Sequence, residues 1–462
     1  MNEAKPNPYE SPRHVDVPTD LPDGAKLLHA ERPVTRKEIV AWALCDWANS
    51  AYSTLSITLL VNYITKLAIP ENQPITAFGM EITGLRVWTW GLGISMFCAA
   101  LMSPILGAMA DARASKWKWL ISTSFLGAIC ATLIPLAPVA QPWLIIGLFF
   151  VTSLSFELSF GFYNGFLPEL ADDESMNRLS GIGFAAGYLG GGLALAVVLV
   201  LFAIGGSIGL PDLPSRARAG LVVMGLWWGL FMIPAALWLR DRAKPRNIHA
   251  GMASTAFHAV GQVLRTLQNV RAYSVLSIFL AGFLIYNEGI QTVMSQAGYF
   301  GEKVLAMSAS ELMLLVLMIQ MLAAPAALGV GWLSDRIGAK TTLLVCLAIW
   351  CALLVGAYFV STKPQFWVMG VVVALVMGGT QAVGRSMMGV MTPEAKTAEF
   401  MGFFNLSARA TSMVGPILFG EVMHATGSAN AAILSLLSFI IIGMAVVSFV
   451  NLRRGIEQAR AG

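Results

Sequence analysis

Long apolar runs recur along this chain, and short polar or charged segments separate them. A helix needs roughly 20 apolar residues to cross the roughly 30 Å hydrocarbon core of a bilayer. Twelve runs meet that length, so the pattern predicts twelve membrane-spanning helices, here called spans 1 to 12. They cover residues 39–67, 86–111, 117–137, 142–166, 180–204, 219–239, 273–296, 312–334, 341–361, 366–391, 400–424 and 429–452.

The connections between spans divide the chain into five parts. The first part is rich in Pro and charge and has no apolar signal-peptide core, so it is predicted to be a flexible tail. Between spans 6 and 7, Phe257, Val260 and Leu264 recur at helical spacing, which predicts a helix on the inner membrane surface. The predicted parts are a cytosolic tail (1–38), an N-terminal six-helix half (39–239), a cytoplasmic linker (240–272), a C-terminal six-helix half (273–452) and a cytosolic tail (453–462).

The composition agrees with an integral membrane protein. Hydrophobic residues make up 56% of the chain and charged residues 12%, whereas soluble domains are about a quarter charged. The formal net charge is +4, but Lys and Arg stand in short connections, as topology signals do, which argues against nucleic-acid binding. Their distribution places both termini in the cytoplasm, although Arg216 and Arg218 lie on the opposite side and weaken the contrast.

Two stripes of polar side chains each contain one intramembrane acid. In span 1 and span 7 an acid is followed by polar residues at i+3, i+4 and i+7, which share one helix face. A carboxylate in a membrane helix costs roughly 2.5 to 3.5 kcal/mol on insertion scales, so it should face a cavity or a partner. The stripes are Asp46, Asn49, Ser50 and Ser53 in span 1, and Glu288, Gln291, Thr292 and Ser295 in span 7.

Spans 4 and 10 add further polar groups. Glu157 and Asn164 lie in span 4, and Gln381 and Arg385 lie in span 10. Arg385 stays charged and suits a carboxylate, which could belong to Glu157 or to a substrate. A purely structural pair between Glu157 and Arg385 is the alternative. A dry cavity with three acids and one base is not expected to keep all three acids ionised, which is what a proton carrier requires.

The two predicted halves repeat one another. GAMADARASK begins at Gly107 after span 2, and GWLSDRIGAK begins at Gly331 after span 8, so Asp111 aligns with Asp335 at a separation of 224. At a separation of 225, FLPELA at the end of span 4 aligns with MTPEAK at the end of span 10. The constant offset predicts two pseudo-symmetric halves.

The string GWLSDRIGAK, with Asp335 and Arg336, resembles the loop motif of the major facilitator superfamily. The first copy is degenerate, because Ala112 and Ala114 stand where Arg and Gly are usual. The resemblance implies an all-α fold of twelve transmembrane helices in two pseudo-symmetric halves. It also implies that the motif latches the halves together; plain topology signals are the alternative. The predicted gating residues are Gly107, Asp111, Gly331, Asp335 and Arg336 of the two motif copies, together with Gly415 and Pro416, which permit tight crossing and bending of span 11.

A closer resemblance spans nearly the whole chain. DWANSAY, YNGFLPELA, SGIGFAAGYLGGG, YNEGIQT, GGTQAVGRS and EFMGFFNLSARATSMVGPILFG occur in this order. Together they resemble the bacterial "unknown major facilitator" family, which is related to the autophagy-associated vacuolar amino-acid effluxers of fungi. Glu288 stands where the family would have Asp, which lengthens the reach of the carboxylate.

These observations predict a secondary transporter of a small polar or zwitterionic, amino-acid-like solute. We expect proton coupling, no cofactor or metal, no nucleic-acid partner and a monomer in a bacterial inner membrane. The chain has no GxxxxGK[ST], HExxH or GxSxG motif and no His/Cys metal spacing, which argues against ATP drive and enzymatic activity. An exporter of a larger amphiphilic compound and a non-transporting sensor on the same scaffold remain alternatives. The predicted pathway residues are Asp46, Asn49, Ser53, Glu157, Asn164, Glu288, Gln291, Gln381 and Arg385.

Overall fold

A computed structural model describes residues 33–77, 79–242, 258, 260–261, 273–409 and 414–461. In this part of the chain nearly all regular structure is helical. Among the described residues, ten helices are long and apolar enough to cross a membrane. Span 1, which contains the polar stripe, and span 11, which is described in two segments, are not among these ten, and their helices are consistent with the predicted twelve.

The first half contains spans 1 to 6. Span 1 continues beyond its α-helix in two π-helical turns, and an antiparallel strand pair precedes span 2. Its elements are span 1 (Arg36–Leu55, then Ser56–Leu60 and Tyr63–Ala68), the strands Ile75–Ala77 and Met80–Ile82, span 2 (Gly84–Arg113), span 3 (Lys116–Leu133, then a 3-10 turn Ile134–Leu136), span 4 (Pro142–Gly165), a short helix Leu167–Leu170, span 5 (Met176–Ile204, then a 3-10 turn Gly205–Ile208) and span 6 (Leu213–Trp238).

The second half repeats this order. The last ten or so residues, expected to be a plain tail, form a further helix whose Gln458 contacts Ser274 and Val275 at the start of span 7. The elements are span 7 (Ser274–Leu305), span 8 (Ala309–Ile337), span 9 (Ala339–Tyr358), span 10 (Lys363–Val390), a 3-10 turn Glu394–Lys396, span 11 (Thr397–Arg409 and Val414–Thr426), span 12 (Ala429–Ser435 and Leu437–Ser448) and the terminal helix Leu452–Ala461.

Two predicted segments fall mostly outside the described residues. They are the N-terminal tail up to residue 32 and most of the linker that was expected to form an interfacial helix. Within the linker, residues 258, 260 and 261 are helical.

Local signals explain where several helices begin. Thr35 with Glu38, and Ser308 with Glu311, form capping boxes that satisfy the first amide groups of spans 1 and 8. Arg216, which weakened the charge bias, donates hydrogen bonds to the carbonyls of Phe202, Leu210 and Pro211 near the end of span 5. This basic residue therefore has a structural role on the side predicted to be external.

Each half has its own apolar core, and the halves meet along two seams. Span 2 packs against the first segment of span 11, and span 5 packs against span 8. The outer segment of span 11, Val414–Thr426, packs mainly on spans 7 and 12 of its own half. The described contacts between halves are thus concentrated toward the predicted cytoplasmic ends, as in a transporter closed on that side.

Candidate functional site

Asp46 lies at the centre of a buried contact between the halves. Its side chain is 3% exposed, and its Oδ2 accepts a hydrogen bond from Tyr163 Oη at 3.1 Å. Arg385 Nη1 of the other half lies 3.6 Å from the same oxygen. Gly187 of span 5 allows this packing, since a Cβ there would lie 2.8 Å from Ser50 Oγ and 3.0 Å from Asp46 Cγ.

The guanidinium of Arg385 is 1% exposed and is held by groups of the first half. Its Nε donates to Ser180 Oγ at 3.0 Å, and its Nη2 donates to Ser180 O at 2.8 Å. Its Nη1 donates to Tyr163 Oη at 3.2 Å and to Asn164 Oδ1 at 3.3 Å. These bonds use the fixed fork of donors that distinguishes Arg from Lys.

Three aromatic rings complete the enclosure of this cation. The guanidinium carbon lies 4.0 Å from the ring centre of Phe184, 5.2 Å from that of Trp42 and 5.3 Å from that of Tyr163. Such distances permit cation–π attraction. We call the enclosing set the Arg385 box; its members are Trp42, Asp46, Tyr163, Asn164, Ser180 and Phe184.

Glu157 is not the acid that Arg385 contacts, which corrects the expected pair. Glu157 is buried in span 4. It lies six residues before Tyr163, or about 9 Å along the helix axis, whereas the partners of Arg385 in span 4 are Tyr163 and Asn164. The ion-pair partner is Asp46, so the proposal that Glu157 is neutralised by Arg385 has no support here.

Glu288 occupies a separate site in the second half. It is 3% exposed, and its Oε1 accepts the backbone N–H of Gly415 at 2.7 Å. Gly415 lies in the described outer segment of span 11, Val414–Thr426, and a Cβ at Gly415 would lie 2.9 Å from Glu288 Oε1. Pro416 follows directly. The structure therefore joins a predicted pathway acid, Glu288, to a predicted gating glycine, while Asp46 contacts other groups.

The other pathway candidates are dispersed. Ser53 bonds the carbonyl of Ser50 in its own helix, and Gln291 is exposed. Asn49 is 1% exposed, and no described residue gives its amide a hydrogen-bond partner. Gln381 joins the halves, because its Oε1 accepts a hydrogen bond from Tyr188 Oη at 2.7 Å.

The degenerate copy of the loop motif forms a buried contact between the halves. Asp111 accepts the backbone N–H groups of Ala398 and Glu399, each with a closest distance of 3.0 Å, at the start of span 11. Lys116 Nζ lies 3.4 Å from Asp111 and pairs also with Glu169. It donates to Thr397 Oγ1 at 2.5 Å. Asp111 thus ties span 2 to the other half through the N-terminal end of a helix.

Gly107 permits the close approach between span 2 and the start of span 11 on which this contact depends. A Cβ at this position would lie 2.8 Å from the backbone nitrogen of Glu399 and closer still to the backbone of Ala398. Any larger residue therefore requires the start of span 11 to shift.

The well-matched copy of the loop motif, after span 8, makes no such buried contact among the described residues. Asp335 is exposed, and no hydrogen bond or ion pair involves it in the part of the chain that the structure describes. Arg336 is also exposed, and its guanidinium carbon lies 3.7 Å from the ring centre of Trp332 in its own helix. Gly331 still marks a close approach, since a Cβ there would lie 3.2 Å from Asn177 O of span 5.

Sequence reasoning did not select Tyr163, Ser180, Phe184 or Lys116 as site residues. Tyr163 opens YNGFLPELA, and both Ser180 and Phe184 lie in SGIGFAAGYLGGG. Those strings carried the family resemblance, so the signal was present. Tyr163, Ser180 and Phe184 are uncharged, and uncharged residues inside apolar helices stand out less in a sequence than intramembrane acids do.

Comparisons with known proteins agree with the motifs. A family model described as "Vacuole effluxer Atg22 like" matches residues 34–460. The uncharacterized MFS-type transporter YxiO of Bacillus subtilis is 29% identical over 416 residues, covering 90% of this chain and 95% of that protein. Autophagy-related protein 22 of Gibberella zeae is 22% identical over an alignment of 540 residues, covering 92% of this chain and 81% of that protein.

Solved structures show the same fold. The major facilitator superfamily transporter FucP in the outward conformation has a TM-score of 0.66 at 15% identity, covering 90% of this chain and 98% of its own. The human organic anion transporter MFSD10 (TETRAN) has a TM-score of 0.64 at 12% identity, covering 90% of this chain and 100% of its own.

Proposed function

This chain belongs to the Atg22-like vacuole effluxer family of the major facilitator superfamily, and we propose that it is a proton-coupled secondary transporter. The family resemblance and the predicted fold are confirmed. The chain is a multi-pass membrane transporter of a small molecule, and its relatives are transporters, not enzymes. Transporters of this architecture bind substrate between their two repeats and expose the site alternately to each side.

One observation carries the proposed coupling. Asp46 shares a buried contact with Arg385 of the opposite half, 3.6 Å away. A proton on Asp46 would remove its negative charge and with it the attraction between the halves at this point. Removing one partner of a buried ion pair costs roughly 3 to 5 kcal/mol, which is enough to change which conformation dominates. Proton binding at Asp46 would therefore favour separation of the two halves on the cytoplasmic side.

The buried contact of Asp111 with span 11 and Lys116 would act as the gate on the cytoplasmic side. It joins span 2 to the start of span 11 with buried backbone hydrogen bonds and an ion pair to Lys116. These contacts must break before the cytoplasmic side can open. Protonation of Asp46 would thus start the change, and the contacts of Asp111 would keep the cytoplasmic side closed until the two halves separate.

Glu288 is proposed as a second proton site within the C-terminal half. Its carboxylate accepts the N–H of Gly415, so neutralising it would weaken the packing of span 7 on the outer part of span 11. This would affect the outer half of the pathway, where the two halves make few contacts in the described residues.

The cargo proposed from family resemblance is a small zwitterion such as an amino acid. The proposed location is a bacterial inner membrane with both termini in the cytoplasm, and the proposed working unit is a monomer. A non-transporting sensor is the competing function. It would change conformation with pH but would move no solute.

The test is flux in proteoliposomes with an imposed proton gradient. Each common amino acid is supplied in radiolabelled form, and accumulation is compared with counterflow at equal pH. An amide keeps the size of the acid but cannot cycle a proton, so Asp46→Asn should abolish accumulation while sparing counterflow of amino acids without a cationic side chain. Glu288→Gln should act in the same direction. Glu81→Gln, in the exposed strand pair, serves as the matched control.

Wild-type accumulation by both Asp46→Asn and Glu288→Gln would show that these carboxylates are structural. Absence of flux for every amino acid, together with a pH-dependent change in conformation, would favour the sensor.

A further inference from the structure

The guanidinium of Arg385 is bound in the way a protein binds a ligand. Arg385 belongs to span 10, whereas every member of its box belongs to spans 1, 4 and 5. The box supplies one carboxylate, four hydrogen-bond acceptors and three ring faces. When the halves separate on the cytoplasmic side, Arg385 leaves with its own half and the box remains with the other.

Three members of the box are held in place without Arg385. Trp42 Nε1 donates to Tyr163 O at 3.0 Å, and the two rings stack with centres 4.8 Å apart. Tyr163 Oη in turn donates to Asp46. These contacts lie within the first half, so the carboxylate and two ring faces would stay in place when Arg385 leaves. Ser180 and Asn164 also bond the second half, since they donate to Ala382 O and Asn405 Oδ1.

Gly183 leaves the space that a planar cation fills. A Cβ at this position would lie 2.7 Å from Arg385 Nη2, 2.6 Å from Tyr163 Oη and 2.7 Å from Trp42 Cη2. The missing side chain at Gly183 therefore leaves the Arg385 box just wide enough for a guanidinium that lies against aromatic rings.

We propose that this box is the binding site for a cationic group of the cargo, and that Arg385 is a built-in competitor for it. The inference rests on the proposed transport function and names the cargo class: an organic cation with a guanidinium group. Ser180 O, Ser180 Oγ and Asn164 Oδ1 accept N–H groups, so a quaternary ammonium ion, which has none, would not satisfy them. In the state open to the cytoplasm, a guanidinium from solution would take the place of Arg385.

Competition at Asp46 then couples cargo to protons. The carboxylate can neutralise Arg385, a cargo cation or a proton, but only one of them at a time. A proton or a cargo cation on Asp46 each frees Arg385, so each favours the state open to the cytoplasm, and closure returns Arg385 to the box in place of the cation.

The experiment measures opening of the cytoplasmic side in the presence of chosen cations. Ala327 is fully buried where span 8 meets span 5, so a cysteine introduced there in a Cys-free background reports opening by its labelling rate. The probes are agmatine, which carries a guanidinium, citrulline, which carries a neutral urea group instead, and choline, which lacks N–H donors. If the open form is a minor state of about 10% or less, saturating agmatine should raise the labelling rate by about tenfold. Citrulline and choline should leave it unchanged.

Two variants separate the box from general effects. Asp46→Asn should abolish the response to agmatine, and Phe184→Leu should weaken it by removing the nearest ring. Phe359→Leu, a change at a position 71% exposed, should leave the response intact.

Equal responses to agmatine and citrulline, or no response to either while labelling still changes with pH, would overturn the cation site and leave the proposed transporter standing. Labelling that never changes with pH, together with no flux of any amino acid, would instead overturn the proposed function. The wild-type comparison of agmatine with citrulline needs no variant, so a poorly folding variant does not affect the conclusion.

Discussion

The loops after spans 2 and 8 carry two copies of one motif, yet only the poorer copy makes the buried contact. Asp111 binds the first amide groups of span 11, whereas Asp335, in the better-matched copy, is exposed. Similarity to a motif therefore identified both loops but did not rank them.

The surroundings of the two acids differ. The amide groups of Ala398 and Glu399 at the start of span 11 donate to Asp111, and Lys116 completes the buried contact. Asp335 is exposed and has no such buried donors among the described residues. Burial and available donors therefore decide which acid is engaged.

The largest expected effect separates the two acids directly. Asp111→Asn should favour the form open to the cytoplasm by about 30-fold. It removes the negative charge that interacts with Lys116 and with the N-terminal end of span 11, and this loss destabilises the closed form by roughly 2 kcal/mol in total. Asp335→Asn should change the population by less than about twofold, as expected for an exposed acid. Labelling of a cysteine at position 327 measures both.

An equal effect of the two substitutions would contradict the asymmetry. A large effect of Asp335→Asn alone would mean that the copy with the better match to the motif is the one that holds the halves together.

A smaller effect is expected from the glycines of the two copies. Gly107→Ala would place a Cβ within 2.8 Å of backbone atoms of span 11, which cannot rotate away. Gly331→Ala would meet Asn177 O at 3.2 Å, which a shift of a few tenths of an ångström relieves. We expect Gly107→Ala to favour the open form by about tenfold and Gly331→Ala by about threefold or less. The same labelling assay ranks them, and the reverse order would contradict the geometry.

The smallest expected effect concerns the exposed turn before span 5. Asp172→Ala removes the side-chain hydrogen bonds that Ser175 N and Oγ donate to Asp172 Oδ1, worth about 1 kcal/mol. Hydrogen exchange at the amide of Ser175 should accelerate by roughly fivefold, while labelling at position 327 changes little. A change in labelling as large as that of Asp111→Asn would show that exposed acids near the seam matter as much as the buried one.

The sequence determined the fold and drew attention to the intramembrane charges. Apolar runs of membrane length, the offset of 224 to 225 and the motif strings were sufficient to predict a membrane transporter of two repeated halves and its family. They also selected Asp46, Glu288 and Arg385, because a charge inside an apolar helix is costly and stands out in any sequence.

Only the tertiary structure decided which groups meet. Helical periodicity fixes the face and depth of a residue on its own helix, but a contact between halves depends on how two separate helix bundles are rotated and shifted against each other. That is why Arg385 could be assigned to Glu157 from the sequence and yet lies against Asp46. It is also why Asp111 is the engaged acid: the free amide groups at the start of span 11 attract it only once the fold brings span 2 alongside.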